Sequence, residues 1–405
     1  MDRKKSVLII TNDFYPSRGG IQETILGLAR QFGDKCVVLA PYYSRHDISN
    51  DDKFDFLVVR TNGLRQDRFI DKLLFLGLRR PFVFLVRTGF LIGRVIKKDC
   101  YSFVICGHIT NLLTGVFVKR FSEIPLAMIV HGKELLFRGV MKTFKESFAK
   151  YLLRQCNYLF VSNRFVKKTL LEMSVPEEKI ISIPFGVNFD QNQKTMGERL
   201  GNNRKTILTV GRLVERKGHE VVLRALPMVL KRFPNVIYQI VGNGSMEKKL
   251  HHLVDEMKLR KNVEFYGEVN NIKHFYQNCD MFIMPSRFIE EKGDVEGFGL
   301  VYLEANFFGK PVVAGRAGGV SDAVIDGVTG ILVDPENAEE IANAIIKLLE
   351  NPELAHKLGE QGRQRVVTEF TWERAASIIE QTMTEAKVGN KRVSRSFGES
   401  VKRRR

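Results

Sequence analysis

Cysteine is scarce and unpatterned in this 405-residue chain: Cys36, Cys100, Cys106, Cys156 and Cys279 are odd in number and form no C-x-x-C pair. Neither a disulfide framework nor a thiolate zinc site is indicated, and such usage suits a reducing compartment. Long apolar runs are also missing. After Met1-Asp2-Arg3-Lys4-Lys5 the only apolar stretch is Val7-Leu8-Ile9-Ile10, too short for the core of a signal peptide, so export is not expected. The most apolar long segment, residues 73–92, is broken by Arg79, Arg80 and Arg87, and charges at mid-span are costly in a membrane. A soluble or surface-lying protein is expected. The dinucleotide fingerprint fails as well, because Gly242-Asn243-Gly244 is followed by Glu247 where the third glycine belongs. That argues against nicotinamide or flavin. No second histidine or carboxylate stands at H-x-x-x-H-type spacing from His131, and Asp294-x-Glu296, which resembles an acidic metal motif, precedes a glycine turn, so no metal is expected.

What is present is a chain with 44% apolar residues, enough for a large core and, at this length, for two domains. Its formal charge of +17 is uneven. Residues 65–98 contribute +7 and residues 391–405 contribute +6, together 13 of the 17. The first of these interleaves arginines with Phe69, Leu73, Phe75, Phe82 and Phe84, which suits a protein resting on an anionic lipid surface. Phe137, Met141, Phe144, Phe148 and Tyr151 repeat the pattern at helical spacing among Lys142, Lys145, Lys150 and Arg154. The plainer alternative is a helix with an apolar core face and solvated lysines. Nucleic acid is not expected as a partner, since no nucleic-acid motif accompanies the charge.

Short β-branched runs alternate with helical periodicity, the pattern of repeated βα units and parallel sheets covered on both faces. Val7–Thr11, Lys35–Ala40, Phe56–Arg60, Phe103–Cys106, Leu126–Val130 and Tyr158–Ser162 read as one sheet. Thr206–Val210, Val236–Val241, Val263–Tyr266, Met281–Met284 and Pro311–Ala314 read as a second. The expected organisation is an α/β chain of two tandem doubly wound, Rossmann-like domains, residues 1–188 and 205–370, joined by a linker at 189–204. A helix over 371–388, capped by Thr371, precedes a basic, disordered tail at 389–405. Ligands of such sheets sit beyond the carboxyl ends of the strands, which points to the cleft between the domains.

The densest chemical signal runs from Asp294 to Ala305. There Glu296 and Glu304 stand eight residues apart around Gly297-Phe298-Gly299. Glycines allow close backbone approach, and a helix starting near Gly299 would aim its free amides, from Leu300 and Val301 among others, at an anion. Glu304, one turn into that helix, suits a pair of ribose hydroxyls, and Glu296 suits sugar hydroxyls; the competing assignment for Glu304 is an exposed helix residue. Arg212 and Lys217 bracket the loop after Thr206–Val210, where two cations suit a diphosphate or are merely solvated. Gly19-Gly20 opens a helix after the first strand, and Gly242 and Gly318-Gly319 are further candidates for close approach to a ligand. His131 follows Leu126–Val130 at a sheet's carboxyl edge, a catalytic address, although a lone histidine is commonly structural.

Taken together, these residues resemble the family 4 retaining glycosyltransferases of GT-B fold. The likeness runs from Gly19-Gly20 to Phe370-Thr371-Trp372. It is carried by Glu296-x7-Glu304, Gly309-Lys310-Pro311-Val312-Val313, Gly318-Gly319 and Gly327-x-x-Gly330. The Asp294-Val295-Glu296-Gly297 opening most resembles bacterial enzymes of the phosphatidylinositol mannosyltransferase type. The resemblance implies a nucleotide-sugar-binding second domain, an acceptor-binding first domain and a final helix that crosses back. It implies no cofactor beyond a GDP- or UDP-linked sugar as co-substrate. Arg212 and Lys217 would bind the diphosphate, with the amides of Gly299, Leu300 and Val301, and Gly20 would border it. Glu304 would take the ribose and Glu296 the donor sugar. His131 would face the reacting carbon, and backbone groups near Val269 would read the base. A lipid-linked or oligosaccharide acceptor at the cytoplasmic membrane face is the expected partner. Two other assignments are a nucleotide-sugar epimerase of the same fold and a non-catalytic basic protein that binds lipid or acidic polymer.

Overall fold

The computed structural model describes residues 7–16, 19–41, 51–61, 101–122, 124–137, 142–189 and 204–386. The basic-aromatic segment 65–98, the linker from 190 to 203 and the tail 389–405 lie outside the described residues. The first sheet holds β1 (Val7–Ile10), β2 (Cys36–Pro41), β3 (Leu57–Thr61), β4 (Phe103–Cys106), β5 (Leu126–Val130), β6 (Tyr158–Val161) and β7 (Ile180–Ser182). All pairings are parallel, in the order β3-β2-β1-β4-β5-β6-β7. The second sheet holds β8 (Thr206–Val210), β9 (Ile237–Val241), β10 (Val263–Gly267), β11 (Met281–Met284), β12 (Val312–Gly315) and β13 (Gly330–Val333). It too is parallel, in the order β10-β9-β8-β11-β12-β13. In both, the strand order reverses beside the first strand, so each sheet has the switch point that opens a ligand crevice.

Two strands go beyond the sequence expectation. Ile180-Ile181-Ser182 is too short to stand out as a run, and the Gly330 that opens β13 reads as a turn residue in isolation. Both are edge strands, held by the neighbour they pair with rather than by local propensity.

The helices are α1 (Gly20–Phe32), α2 (Leu112–Ser122), α3 (Lys142–Gln155), α4 (Arg164–Glu172), α5 (His219–Arg232), α6 (Glu247–Glu256), α7 (Ile272–Asn278), α8 (Leu300–Phe307), α9 (Val320–Ala323), α10 (Ala338–Glu350), α11 (Pro352–Glu369) and α12, residues 372–386. They cover both faces of each sheet, which is why the strands read as continuous apolar runs. The outer faces pack separately. Ala149, Leu152 and Leu153 of α3 meet Leu8, Val104 and Met128 of the first sheet, and Val222, Leu226 and Ile345 meet Ile207, Tyr238 and Ile283 of the second.

The inner faces share one apolar cluster. It runs from Ile9, Ile25 and Ala29 through Phe185, Phe298 and Trp372 to Leu208, Phe282 and Val312. Trp372, which opens α12, is 4% exposed and lies 6.0 Å, centroid to centroid, from Phe185. Side chains at two glycines would collide with it: a Cβ on Gly27 of α1 would stand 2.2 Å from the indole and one on Gly186 2.6 Å from the Trp372 nitrogen. Thr371 Oγ1 accepts the Arg374 N–H at 3.2 Å, capping α12, and Gln31 of α1 reaches Glu373 at 3.5 Å. A pocket of about 560 Å³ opens beside Trp372, lined by Gly27, Phe189, Phe307, Phe370 and Trp372, and does not touch the cationic loop after β8.

Candidate active site

The loop between β8 and α5 is bent by its own backbone. Glu215–Lys217 form a 3-10 turn that ends at Gly218, whose φ of 74° is left-handed. A Cβ there would meet the Pro285 carbonyl oxygen at 2.3 Å, so only glycine lets the loop fold onto the segment after β11. That contact places Arg216 and Lys217, both buried, beside the loop that carries Glu296. Lys217 Nζ lies 2.6 Å and Arg216 2.5 Å from Glu296 Oε2, and Ser286 Oγ donates to the same oxygen at 3.1 Å. Arg216 Nε continues to Asp294 Oδ1 at 3.2 Å. Arg212 is exposed at the start of the loop and has no ion-pair partner among the described residues; its carbonyl accepts from His219 Nε2 at 3.3 Å.

Burial alone would raise the Glu296 carboxyl. The Lys217 and Arg216 charges, with hydrogen bonds from Lys217 and Ser286, outweigh it and hold the group at about 2. Burial lowers Lys217, Glu296 opposes that, and Arg216 and Arg212 push it further down. A cation that is partly desolvated and crowded by its own kind is attracted to an incoming anion.

Glu304 lies in α8, whose start is fixed by Gly299 at φ 88°, a left-handed residue pressed on the Tyr302 ring. Tyr276 of α7 donates to Glu304 Oε2 at 2.7 Å. Burial pushes the Glu304 carboxyl up to about 7; the Tyr276 bond and Lys217 pull it down, and Glu23 in the first turn of α1 pushes it up. Lys217 and the opening turn of α1, which starts at Gly19-Gly20, are therefore both within electrostatic reach of Glu304. A Cβ on Gly20 would find open space, and its carbonyl accepts from Thr24 Oγ1 at 2.7 Å. Gly242, at the end of β9, packs on Gly211, where a Cβ would come 2.1 Å from the carbonyl oxygen, and donates its N–H to Gly267 at 2.7 Å. Val269 follows β10, half-buried.

Across the domain boundary, His131 directly follows β5. Its Nε2 faces the Gly107 carbonyl at 3.2 Å and so carries the hydrogen in the neutral ring, while its backbone N–H donates to Glu134 Oε1 at 2.7 Å. Burial lowers the imidazole's affinity for a second proton and His108 adds to this, against Glu134 and Asp13. The two domains meet here backbone to backbone. A Cβ on Gly297 would stand 2.1 Å from the His131 carbonyl oxygen, and one on Gly319 2.0 Å from that of Gly297. Asn163, the cap of α4, donates to the Gly297 carbonyl at 2.6 Å. Phe298 packs edge-on to Phe185 at 5.9 Å. Lys133 reaches Asp294 at 2.7 Å, and Arg164 pairs with Asp322 at 2.6 Å.

The structure thus gathers Lys217, Glu296, Gly297, Phe298, Gly299, Leu300, Val301 and Glu304 at the carboxyl ends of β8 and β11, against His131. Arg216, Ser286, Tyr276, Asn163 and Lys133 join them without having been singled out in the sequence. Arg216 is hidden in sequence by its neighbours Glu215 and Lys217, which read as an ordinary charged loop. Among the described residues no three His, Cys, Asp or Glu side chains are grouped to hold a metal ion.

Residues 190–365 match the family model described as glycosyl transferases group 1. Over that stretch the chain is similar to this family. It is 28% identical over 386 residues to a GDP-mannose-dependent alpha-(1-6)-phosphatidylinositol monomannoside mannosyltransferase of Mycolicibacterium smegmatis, covering 92% of this chain and 97% of the relative. A Corynebacterium glutamicum mannosyltransferase named for the monoacylated form of that acceptor is 27% identical over 398 residues, covering 92% and 96%. Among solved structures, Anabaena HepE in complex with UDP superposes with a TM-score of 0.76 at 20% identity, covering 94% of this chain and all of that one. The sucrose-phosphate synthase of Thermosynechococcus elongatus also reaches 0.76 at 20% identity, covering 95% and 100%. The protein is a glycosyltransferase of GT-B fold, with one parallel sheet on each side of the site just described.

Proposed function

We propose that this glycosyltransferase moves a hexose of mannose or glucose type, with retention and without a metal, from a GDP- or UDP-linked donor to a lipid-linked or oligosaccharide acceptor. The observation that carries the proposal is the buried Lys217–Glu296–Arg216 cluster at the mouth of the second sheet, facing His131 of the first. Among the described residues each side-chain hydrogen bond to the Glu296 carboxylate goes to Oε2, so Oε1 is the atom left for a donor hydroxyl. Glu304 has the same economy: Tyr276 takes Oε2, and the other oxygen serves the ribose. The relatives named for GDP-mannose and a phosphatidylinositol mannoside, and the HepE complexes with UDP and UDP-glucose, support the donor and acceptor classes.

In this reading the bond from the anomeric carbon to the diphosphate breaks as the acceptor oxygen bonds to that carbon, and the acceptor proton passes to a diphosphate oxygen. Charge grows on the leaving diphosphate. Lys217, Arg212 and the first amides of α8, from Gly299, Leu300 and Val301, stabilise it, with Gly20 at the opposite wall. Gly242 shapes the cleft floor, and backbone groups near Val269 meet the base. His131, held by Gly107 and Glu134, lies at the reacting face of the sugar. Residues 1–188 would bind the acceptor, 205–370 the donor, and the helix from 371 would tie them together. A thermal-shift screen of GDP-mannose, UDP-glucose and related donors tests this; a melting temperature that no nucleotide sugar raises would refute it.

We also propose attachment to the inner membrane face. No helix among the described residues is long and apolar enough to span a membrane. What supports attachment is the outer surface of the first domain, where Phe121 of α2 is 72% exposed and Phe144 and Tyr151 of α3 are 61% and 57% exposed. Lys142, Lys145 and Lys150 share α3, so aromatic and cationic groups lie together as an anionic surface requires. Sedimentation with anionic vesicles at low salt tests it, and protein left in the supernatant would refute it.

A further inference from the structure

Five charged side chains of alternating sign connect the two domains. Lys133 Nζ in the first lies 2.7 Å from Asp294, and Asp294 shares Arg216 with Glu296 at 3.2 and 2.5 Å. Glu296 in turn holds Lys217 at 2.6 Å. Arg216 is buried and reaches the two carboxylates with different nitrogens, Nε and Nη1, so its planar fork fixes one relative to the other. The Lys133 end is different in kind: its side chain is half-exposed, and nothing buried holds it. Beside it, Gly297 lies on the His131 carbonyl with no room for a side chain between them. The Glu296 loop is therefore packed directly on the first domain at this point.

We propose that Asp294 and Arg216 are positioning residues that tie the Glu296 carboxylate to the first domain through Lys133. With Lys133 on Asp294, Arg216 is fixed from both sides and Glu296 Oε1 is aimed at the donor sugar. With the domains apart, Asp294 loses one of its two cations and Arg216 is free to pivot. Glu296 is then competent only when the acceptor domain is in place, which restrains donor loss to water in an open cleft. The proposal rests on Glu296 being the donor-sugar ligand.

The test uses the full chain with Lys133→Met, Asp294→Asn and the double variant, measuring transfer kinetics, binding of GDP and UDP, and the radius of gyration by solution scattering. Each single variant is expected to lower kcat about tenfold and the double variant to lose no more than either single one, because the two residues form one link. Nucleotide affinity stays within about twofold, since the nucleotide does not touch Glu296. Lys133→Arg retains activity, and high salt lowers the wild type toward Lys133→Met while leaving that variant unchanged. Losses that multiply in the double variant, or single variants with wild-type kcat, overturn the proposal. Should Asp294→Asn not fold, the surface variant Lys133→Met and its salt response decide alone. If the wild type binds neither nucleotide, the donor-site reading has failed instead, and the link stands or falls on scattering. Lys133→Met must then raise the radius of gyration of the free protein, and an unchanged radius refutes it.

Discussion

Lys217 and Glu296 face each other at 2.6 Å with a tenth of each side chain exposed. Their charges cancel in the free protein, and in the proposed reaction the lysine is the group that meets the diphosphate. Lys217→Ala is expected to lower transfer by about two to three orders of magnitude, or ~2–4 kcal/mol in the barrier. Rates measured on protein that still melts cooperatively check this, and a loss under threefold contradicts it.

The pair of Tyr276 and Glu304 sets a pH dependence. Ribose hydroxyls donate to a carboxylate, and Glu304 is held at about 7, so donor affinity should fall about tenfold per pH unit below that value. The Tyr276 hydrogen bond lowers the group, so Tyr276→Phe shifts the midpoint to higher pH, and Glu304→Gln abolishes the dependence. Donor KM from pH 5.5 to 8.5 for the three proteins is the measurement.

Stability responds to the two glutamates with opposite sign. Glu296 is depressed from 4.5 to about 2, so its contribution is present above 4.5 and is lost as pH falls toward 2. Glu304 is raised from 4.5 to about 7, so its contribution is present below 4.5 and is lost as pH rises through 7. Denaturant melts should find Glu304→Gln as stable as the wild type or more so at pH 8, with that advantage gone near pH 4.5. Equal differences at both pH values would contradict the assignment.

At the domain boundary, Gly297→Ala pushes a methyl group to 2.1 Å from the His131 carbonyl oxygen, a backbone atom that cannot turn aside. The expected cost is at least about 1–3 kcal/mol of stability, together with a loss of transfer out of proportion to it, because relieving the clash moves the Glu296 loop. Comparison with Gly20→Ala, where a Cβ meets nothing within 4 Å, supplies the control on stability.

Much of this architecture was legible because parallel strands buried on both faces leave uninterrupted runs such as Val7–Ile10 and Leu126–Val130. The edge strands β7 and β13 were not, since pairing rather than composition defines them. At the site, Glu296 and Glu304 stood out by their spacing around Gly297 and Gly299. Arg216 did not, because what marks it is its contact with both Asp294 and Glu296, some eighty residues away, made when Gly218 folds the loop onto Pro285. Asn163 and Lys133 are more than a hundred residues from the groups they touch in the second domain, and no local pattern announces contacts at that range.

The chain has a single tryptophan, and it is Trp372. Its indole leans on Gly27 from one lobe and on the passage through Gly186 that leads to the other, with the Phe185 ring alongside. Gly27, Phe185 and Gly186 all belong to residues 1–188, so ultraviolet emission at one wavelength reports how the final helix is seated on that lobe, and the molecule needs no attached dye to follow it.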